Sequence, residues 1–252
     1  MNADLVLAER AARDAAALLM ERFGGPARGL GSKSTLTDLV SDADRDAEAL
    51  IRDLLARERP DDALLAEEGT SEPGESGRRW VFDPLDGTVS YLYGYPHWCV
   101  SVALEDGDGV AAGVVYDPNR DELFTAARGA GATLGGEAIA VREAAPLDRT
   151  LVATGFGYDA DWRARQAEVA RRVLPAVRDI RRAGSAALDL AWLAAGRLDA
   201  YYERGLNPWD WAAGSLLVRE AGGIVEELDG EPHGLVAGPG PVVEALRPLL
   251  DG

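Results

Sequence analysis

The segment Arg79-Trp80-Val81-Phe82-Asp83-Pro84-Leu85-Asp86-Gly87-Thr88 decides the reading of this chain. Trp80-Val81-Phe82 reads as a buried strand that runs into Asp83. Pro84 fixes a tight bend, so Asp83 and Asp86 can face one site. Gly87 lets the backbone come close to a ligand, and the amides of Gly87 and Thr88 can meet phosphate oxygens.

From Arg79 onward the pattern is β: Cys99–Leu104, Val110–Tyr116 and Leu123–Ala126 alternate or run apolar between turn residues, and Gly129 to Val141 reads as a Gly-rich hairpin. Upstream, apolar residues at helical spacing (Leu5, Ala8, Ala12, Ala15, Leu18, Leu19) predict a helix over 3–23, ended by Gly24, Gly25 and Pro26. A loop from Gly29 to Thr37 holds Lys33. Ser41 or Asp42 can cap a second helix to about Arg57, Ala63–Ala66 reads as a short strand ending at Glu67, and 70–78 reads as a flexible surface loop. After Pro146, strands at Leu151–Thr154, Ile180 and Leu198–Tyr202 alternate with helices over 160–173, 185–195 and 209–221. Short strands near Ile224 and Leu235 and a helix from Pro241 complete a layered α+β chain built on two sheets. The expected organisation is one compact unit of two halves: 1–145, carrying most of the acids of interest, and 146–252, completing the site.

Composition narrows the chemistry. The 252 residues carry 26 Lys+Arg against 43 Asp+Glu, a formal net charge of −17, with Lys33 the single lysine. One cysteine, Cys99, and two histidines, His97 and His233, exclude a disulfide framework and a Cys-His zinc cluster. Val100 to Glu105 has no Arg for a cysteine-phosphatase loop, and Lys33 follows Ser32 rather than the Gly of a P-loop. The charge argues against a nucleic-acid or membrane partner; the nearest basic group, Arg171, Arg172, Arg178, Arg181 and Arg182, reads in part as the polar side of a helix. No signal-peptide core or membrane span is evident, which predicts a cytoplasmic protein.

The acids lie at strand ends and helix starts. Glu67 and Glu68 follow one strand, Asp83 and Asp86 another, and Asp210 opens a helix behind Asn207-Pro208-Trp209. Each has an ordinary structural reading as a turn, a solvated pair or a helix cap. Set among Val81, Phe82, Trp209 and Trp211, with no lysine nearby in sequence, they instead read as buried carboxylates that need compensation. Oxygen-only donors suit a hard cation such as Mg²⁺.

Lys33 with Asp44, Ala66-Glu67-Glu68, the Asp83 to Thr88 segment, Gly184-Ser185-Ala186-Ala187, Asp199 to Glu203, Trp209-Asp210 and Glu220 to Gly223 resemble the inositol monophosphatase family in order and spacing. The likeness spans nearly the whole chain. It implies an inositol monophosphatase/fructose-bisphosphatase-like αβαβα sandwich and a lithium-sensitive phosphomonoesterase, usually homodimeric, with two to three Mg²⁺ per site. It also implies Glu67, Asp83, the Leu85 carbonyl, Asp86 and Asp210 as metal ligands, and Asp44, Thr88 and Glu67 as catalytic. By the same likeness Asp86, Gly87, Thr88, Gly184, Ser185, Ala186, Glu203 and Asp210 meet the substrate, and Lys33 sits on a mobile loop. Two positions depart from the common pattern: Ser90 two residues after Thr88, and Asn207-Pro208 before Trp209. Tyr91, Tyr93, Tyr95 and Trp98 read as packing below the site.

The expected partner is a small phosphorylated metabolite, inositol 1-phosphate first and histidinol phosphate second. Fructose 1,6-bisphosphate and 3′-phosphorylated adenosine nucleotides are further substrates of the fold. A non-catalytic metal-binding regulator is the alternative of a different class. A calcium-binding structural site lacks the closely spaced ligands of an EF-hand.

Overall fold

The outer faces of two sheets and the space between them each hold a separate apolar cluster, and these three cores fix the layering. The computed structural model describes residues 2–25, 29, 31–32 and 39–251. In chain order the first part comprises α1 (Ala3–Arg22), β1 (Gly31–Ser32), β2 (Leu39–Val40), α2 (Asp42–Glu58), β3 (Ala63–Ala66), β4 (Ser71–Glu72), β5 (Arg79–Asp86) and α3 (Thr88–Leu92). Then come β6 (Cys99–Asp106), β7 (Gly109–Asp117), β8 (Glu122–Ala127), β9 (Ala132–Leu134) and β10 (Glu137–Ala138). The rest comprises β11 (Leu151–Thr154), α4 (Ala160–Val173), β12 (Asp179–Arg181), α5 (Ala186–Ala194), β13 (Ala200–Arg204), α6 (Pro208–Glu220), β14 (Ile224–Glu227), β15 (Gly234–Gly238) and α7 (Gly240–Leu250).

The first sheet has eight strands in the order β10-β9-β8-β7-β6-β5-β3-β4, and the second has five in the order β12-β11-β13-β15-β14. Alternation decides which face each side chain takes. Trp80, Phe82, Val100 and Val102 point to α1 and α2, where Ala8, Ala12, Ala15 and Ala47 let the helices sit close. Val81, Ala103 and Val115 point the other way, onto α5 and α6, which also cover Ala153, Tyr201 and Ala237 of the second sheet. Val152, Ala200, Tyr202 and Val236 face α4 and α7 with Val173, Val243 and Leu246. The result is the αβαβα sandwich, an α+β fold. At an assumed 25 cal/mol per Å², each buried Leu or Val contributes roughly 1.5–3 kcal/mol to it.

Two expectations are corrected. The stretch 70–78 begins with β4, which pairs with β3. It is then pinned, Glu75 and Ser76 donating backbone N–H groups to the Asp61 carbonyl and the Ser76 hydroxyl to Asp62. A polar, Gly/Pro-rich composition therefore marks a surface segment here but not a loose one. Of the four aromatics, only Tyr91 and Trp98 are packed, edge-to-face at 5.1 Å and against Phe23. Tyr93 and Tyr95 are 81% and 53% exposed, because α3 ends at Leu92 and the left-handed Gly94 turns the chain outward. Among the described residues no helix is long and apolar enough to cross a membrane.

Candidate active site

Strand β5 keeps its ladder with β6 as far as Asp83, opposite Ser101, and regains it at Asp86, opposite Cys99. Between them Pro84, lacking an N–H, sits in a register shift, and the Leu85 N–H bonds the Asp83 carboxylate at 2.9 Å. The bulge brings both acids onto a cavity of about 400 Å³ that Glu67, Leu85, Gly87, Thr88, Ser185, Glu203 and Asp210 also line. Gly87 holds φ at +100°, and a Cβ there would lie 3.0 Å from the His97 carbonyl oxygen, so only glycine fits this turn.

Helix starts supply the next acids. Asp44 is the third residue of α2, and its Oδ2 accepts the Ser41 N–H at 2.9 Å and the Ser41 hydroxyl at 2.5 Å. Oδ1 lies 3.1 Å from the Thr88 hydroxyl, which is also 3.2 Å from the Leu85 carbonyl; its one hydrogen serves one acceptor at a time. Asp210 is placed alike on α6, accepting the Asn207 N–H at 2.6 Å. A helix-capping geometry thus aims both side chains. Asp86 Oδ2 accepts from the Ser185 hydroxyl and the Ala187 N–H, each at 2.7 Å, which docks the start of α5 onto β5. Gly184, with φ +94°, turns the chain into that helix, and Ala186 lines the cavity beside it.

The acids strain one another. Burial, with Glu67 and Asp189 nearby, pushes Asp86 up to about 6 against the bonds from Ser185 and Ala187. Burial, then Glu67 and Asp86, holds Asp210 well above the usual carboxylate range. Glu203 rises to about 7 by burial, against a 2.7 Å bond from the Tyr201 hydroxyl and aided by Asp189. Gly155 makes room for it, since a Cβ there would come within 2.1 Å of the Glu203 carboxylate. The Cys99 thiol, fully buried, is pushed up by that burial and by Asp86, which makes it a poor nucleophile.

Among the described residues no three His, Cys, Asp or Glu side chains form a ready metal shell. The donor chemistry nonetheless fits a hard divalent cation: carboxylates of Glu67, Asp83, Asp86 and Asp210 with the Leu85 carbonyl, oxygen only, Asp86 and Asp210 having a raised proton affinity that a cation would relieve. Lys33 lies outside the described residues.

The sequence reading missed three residues. Glu48, four on from Asp44 along α2, accepts the Glu68 N–H, the Thr70 N–H and the Thr70 hydroxyl at 2.6, 2.9 and 2.8 Å and so holds the turn after Glu67. Arg182, which the sequence places in the basic group from Arg171 to Arg182, lines the cavity, as does Asp189 of α5. For Glu48 and Asp189 a signal existed, since i, i+4 spacing from Asp44 and Ser185 places them on the same helix faces; for Arg182 there was none. A larger cavity of about 530 Å³ adjoins across Gly155 and Glu203, but its walls hold none of the four proposed ligand acids.

Residues 2–250 match the profile described as the Inositol monophosphatase family. The "Nus factor SuhB" of Escherichia coli (strain K12) is 42% identical over 253 residues, covering 98% of this chain and 95% of that protein. The "Inositol-1-monophosphatase" of Synechocystis sp. is 44% identical over 222 residues, 85% of this chain and 75% of that protein. The crystal structure of the extragenic suppressor protein suhB from Bartonella henselae superposes with a TM-score of 0.93 at 38% identity, over 99% of each chain. With the same layers, an acid-lined cavity at the bulge of β5 and a match along its whole length, this chain belongs to the inositol monophosphatase family.

Proposed function

We propose that the chain hydrolyses a small phosphate monoester, with inositol 1-phosphate as first substrate, at the cavity lined by β5, α5, β13 and α6. One observation carries the reading: acids from separate elements meet in one cavity, with the Thr88 hydroxyl held between Asp44 and the Leu85 carbonyl. Glu67, Asp83, the Leu85 carbonyl, Asp86 and Asp210 would hold two to three Mg²⁺. Bound there, the ions would offset about four carboxylate charges, lower the pKa of water and stabilise charge on the transferred phosphoryl group.

The chain's own residues do the rest. Asp44, its second oxygen committed to Ser41, accepts the Thr88 proton, so the Thr88 oxygen can accept a hydrogen bond from the attacking water and orient it. The backbone amides of Gly87 and Ala186, residues that line the cavity, would bind phosphate oxygens. Glu203, which lines the same cavity, would receive the alcohol of the ester. The acidic wall there also suits a cationic amino alcohol, which keeps histidinol phosphate as the second substrate.

Phosphate release, assayed with and without Mg²⁺ over inositol 1-phosphate, histidinol phosphate, fructose 1,6-bisphosphate and adenosine 3′,5′-bisphosphate, tests the reading. Turnover of at least one should require Mg²⁺ and vanish in Asp83→Asn. Thr88→Ala should keep metal affinity within about threefold and lose roughly 100-fold or more in kcat, the range for positioned proton transfer. Full activity in Asp83→Asn, or none on any ester with the wild type, removes the proposal.

A further inference from the structure

Asp189 occupies the first turn of α5, four residues on from Ser185 and three on from Ala186, so it shares their face and lines the same cavity. It is only 3% exposed. A carboxylate so enclosed needs a partner, and behind it stands His97, also 3% exposed, with Nε2 at 3.4 Å from Asp189 Oδ1. Among the described residues His97 is the one basic side chain within 4 Å of this carboxylate, and its buried Nε2 has no other hydrogen-bond partner. The imidazole is itself fixed, edge-on to Trp192 at 5.1 Å and beside Tyr95, while its backbone carbonyl abuts Gly87. Trp192 in turn lies under the Arg120 guanidinium. The packing of the imidazole fixes where the Asp189 carboxylate meets it.

The place of Asp189 matters because of the acceptors that share the cavity. Glu67, Asp83, Asp86 and Asp210, the acids proposed to hold the ions, line it together with Glu203, Asp189 and Arg182. Asp189 lies close enough to Glu203 to repel its carboxylate, which groups these two acids as neighbours outside the proposed ligand set. Carboxylate oxygens accept hydrogen bonds and do not donate when ionised, so two of them together select a partner rich in O–H donors. We infer that Asp189, held by His97, is a specificity-determining residue that accepts a hydrogen bond from a hydroxyl of a polyol leaving group, alongside Glu203. His97 acts as a positioning residue. The inference rests on the phosphatase reading of the cavity.

The test separates the alcohol from the phosphate. Calorimetry with Mg²⁺ present compares inositol 1-phosphonate, whose C–P bond resists hydrolysis, with methylphosphonate, which has no hydroxyl on carbon. Asp189→Asn should weaken the first by about tenfold or more and the second by less than about twofold, the loss expected for one charge-assisted hydrogen bond. On inositol 1-phosphate the same change should raise KM by a similar factor and alter kcat much less. His97→Leu should repeat the KM increase. His97→Gln, which returns an N–H near the Nε2 position, should recover most of it; a merely structural histidine would not show that rescue pattern. Equal losses for both phosphonates in Asp189→Asn, or no loss for either, overturn the inference. If the wild type binds inositol 1-phosphonate but releases phosphate from no ester, hydrolysis falls and the binding contrast still decides Asp189. If hydrolysis stands and KM is unmoved in Asp189→Asn, Asp189 falls alone. A wild type that binds neither phosphonate overturns both.

Discussion

Glu203 lies in the cavity wall, where burial, opposed by the Tyr201 hydroxyl on one oxygen and aided by Asp189 and Asp86, raises its carboxyl from an ordinary 4.5 to about 7. A carboxyl raised in the folded state resists ionisation there and ionises freely in the unfolded chain. Its contribution to stability is therefore present below about pH 4.5 and is lost as pH rises through about 7. Glu203→Gln keeps an oxygen for Tyr201 and cannot ionise. Relative to the wild type it should gain about 2 kcal/mol on going from pH 4.5 to pH 8, a figure reduced for the carboxylate's partial contact with water. Urea unfolding of both metal-free proteins at the two pH values measures this, and parallel stability curves would refute it. The same variant should weaken binding of the polyol, which makes Glu203 a position where stability is given up for a ligand. Nothing of this proton affinity could be read from Tyr201-Tyr202-Glu203 alone. That sequence predicts the strand, whereas the burial that raises Glu203 comes from tertiary packing, and the acids that add to it arrive from α5 and β5.

At the scale of elements, the joints between them orient the site. The Asp83 to Thr88 segment was legible because its chemistry is local: the bend, the two acids and the glycine lie within six residues, and the structure realises them as one bulge and one turn. The starts of α2 and α6 were legible for the same reason, as Ser41 with Asp44 and Asn207 with Asp210 are spaced three apart. Joints made across the fold left no such trace. Glu48 reads as one more acid on a charged helix, yet β3 brings Glu68 and Thr70 onto it from 20 and 22 residues away. Arg182 follows β12, and at the cavity its guanidinium donates to the Phe156 carbonyl, 26 residues away. The spacing of Tyr93 and Tyr95 suggested packing because nothing local fixed where α3 would stop. Glu48 makes a prediction of its own. Glu48→Ala leaves two N–H groups and a hydroxyl without their acceptor, at a cost of about 2 kcal/mol. It should also loosen Glu67, lowering Mg²⁺ affinity severalfold while kcat at saturating Mg²⁺ stays within about threefold. Urea unfolding and a Mg²⁺ titration of activity check the two parts, and a stability loss with unchanged Mg²⁺ dependence would confine Glu48 to a structural role.

Across the whole molecule, the first sheet is drawn from residues up to 138 and the second from residues after 150, and α5 and α6 lie between them. The proposed ligand acids follow the same division: Glu67, Asp83 and Asp86 belong to the first sheet's strands and their ends, and Asp210 to a helix of the middle layer. A cation held by all of them would join layers that otherwise meet through apolar packing and hydrogen bonds, among them those from Ser185 and Ala187 to Asp86 and from Gly129 and Gly131 to Glu220. It would also act on a chain of net charge −17, where simple screening by salt stabilises as well. The two effects separate by site and by concentration. Mg²⁺ at about 100 times its dissociation constant should stabilise the fold by roughly 2.7 kcal/mol, or about 5–10 °C in Tm for a chain of this size, beyond an NaCl control of equal ionic strength. Asp83→Asn and Asp210→Asn should each abolish that excess and leave the NaCl response intact. Survival of the excess in Asp210→Asn would mean that the ion is held by the first sheet alone. An excess absent from the wild type would assign the acids to charge balance within the fold and remove the metal from the proposed chemistry.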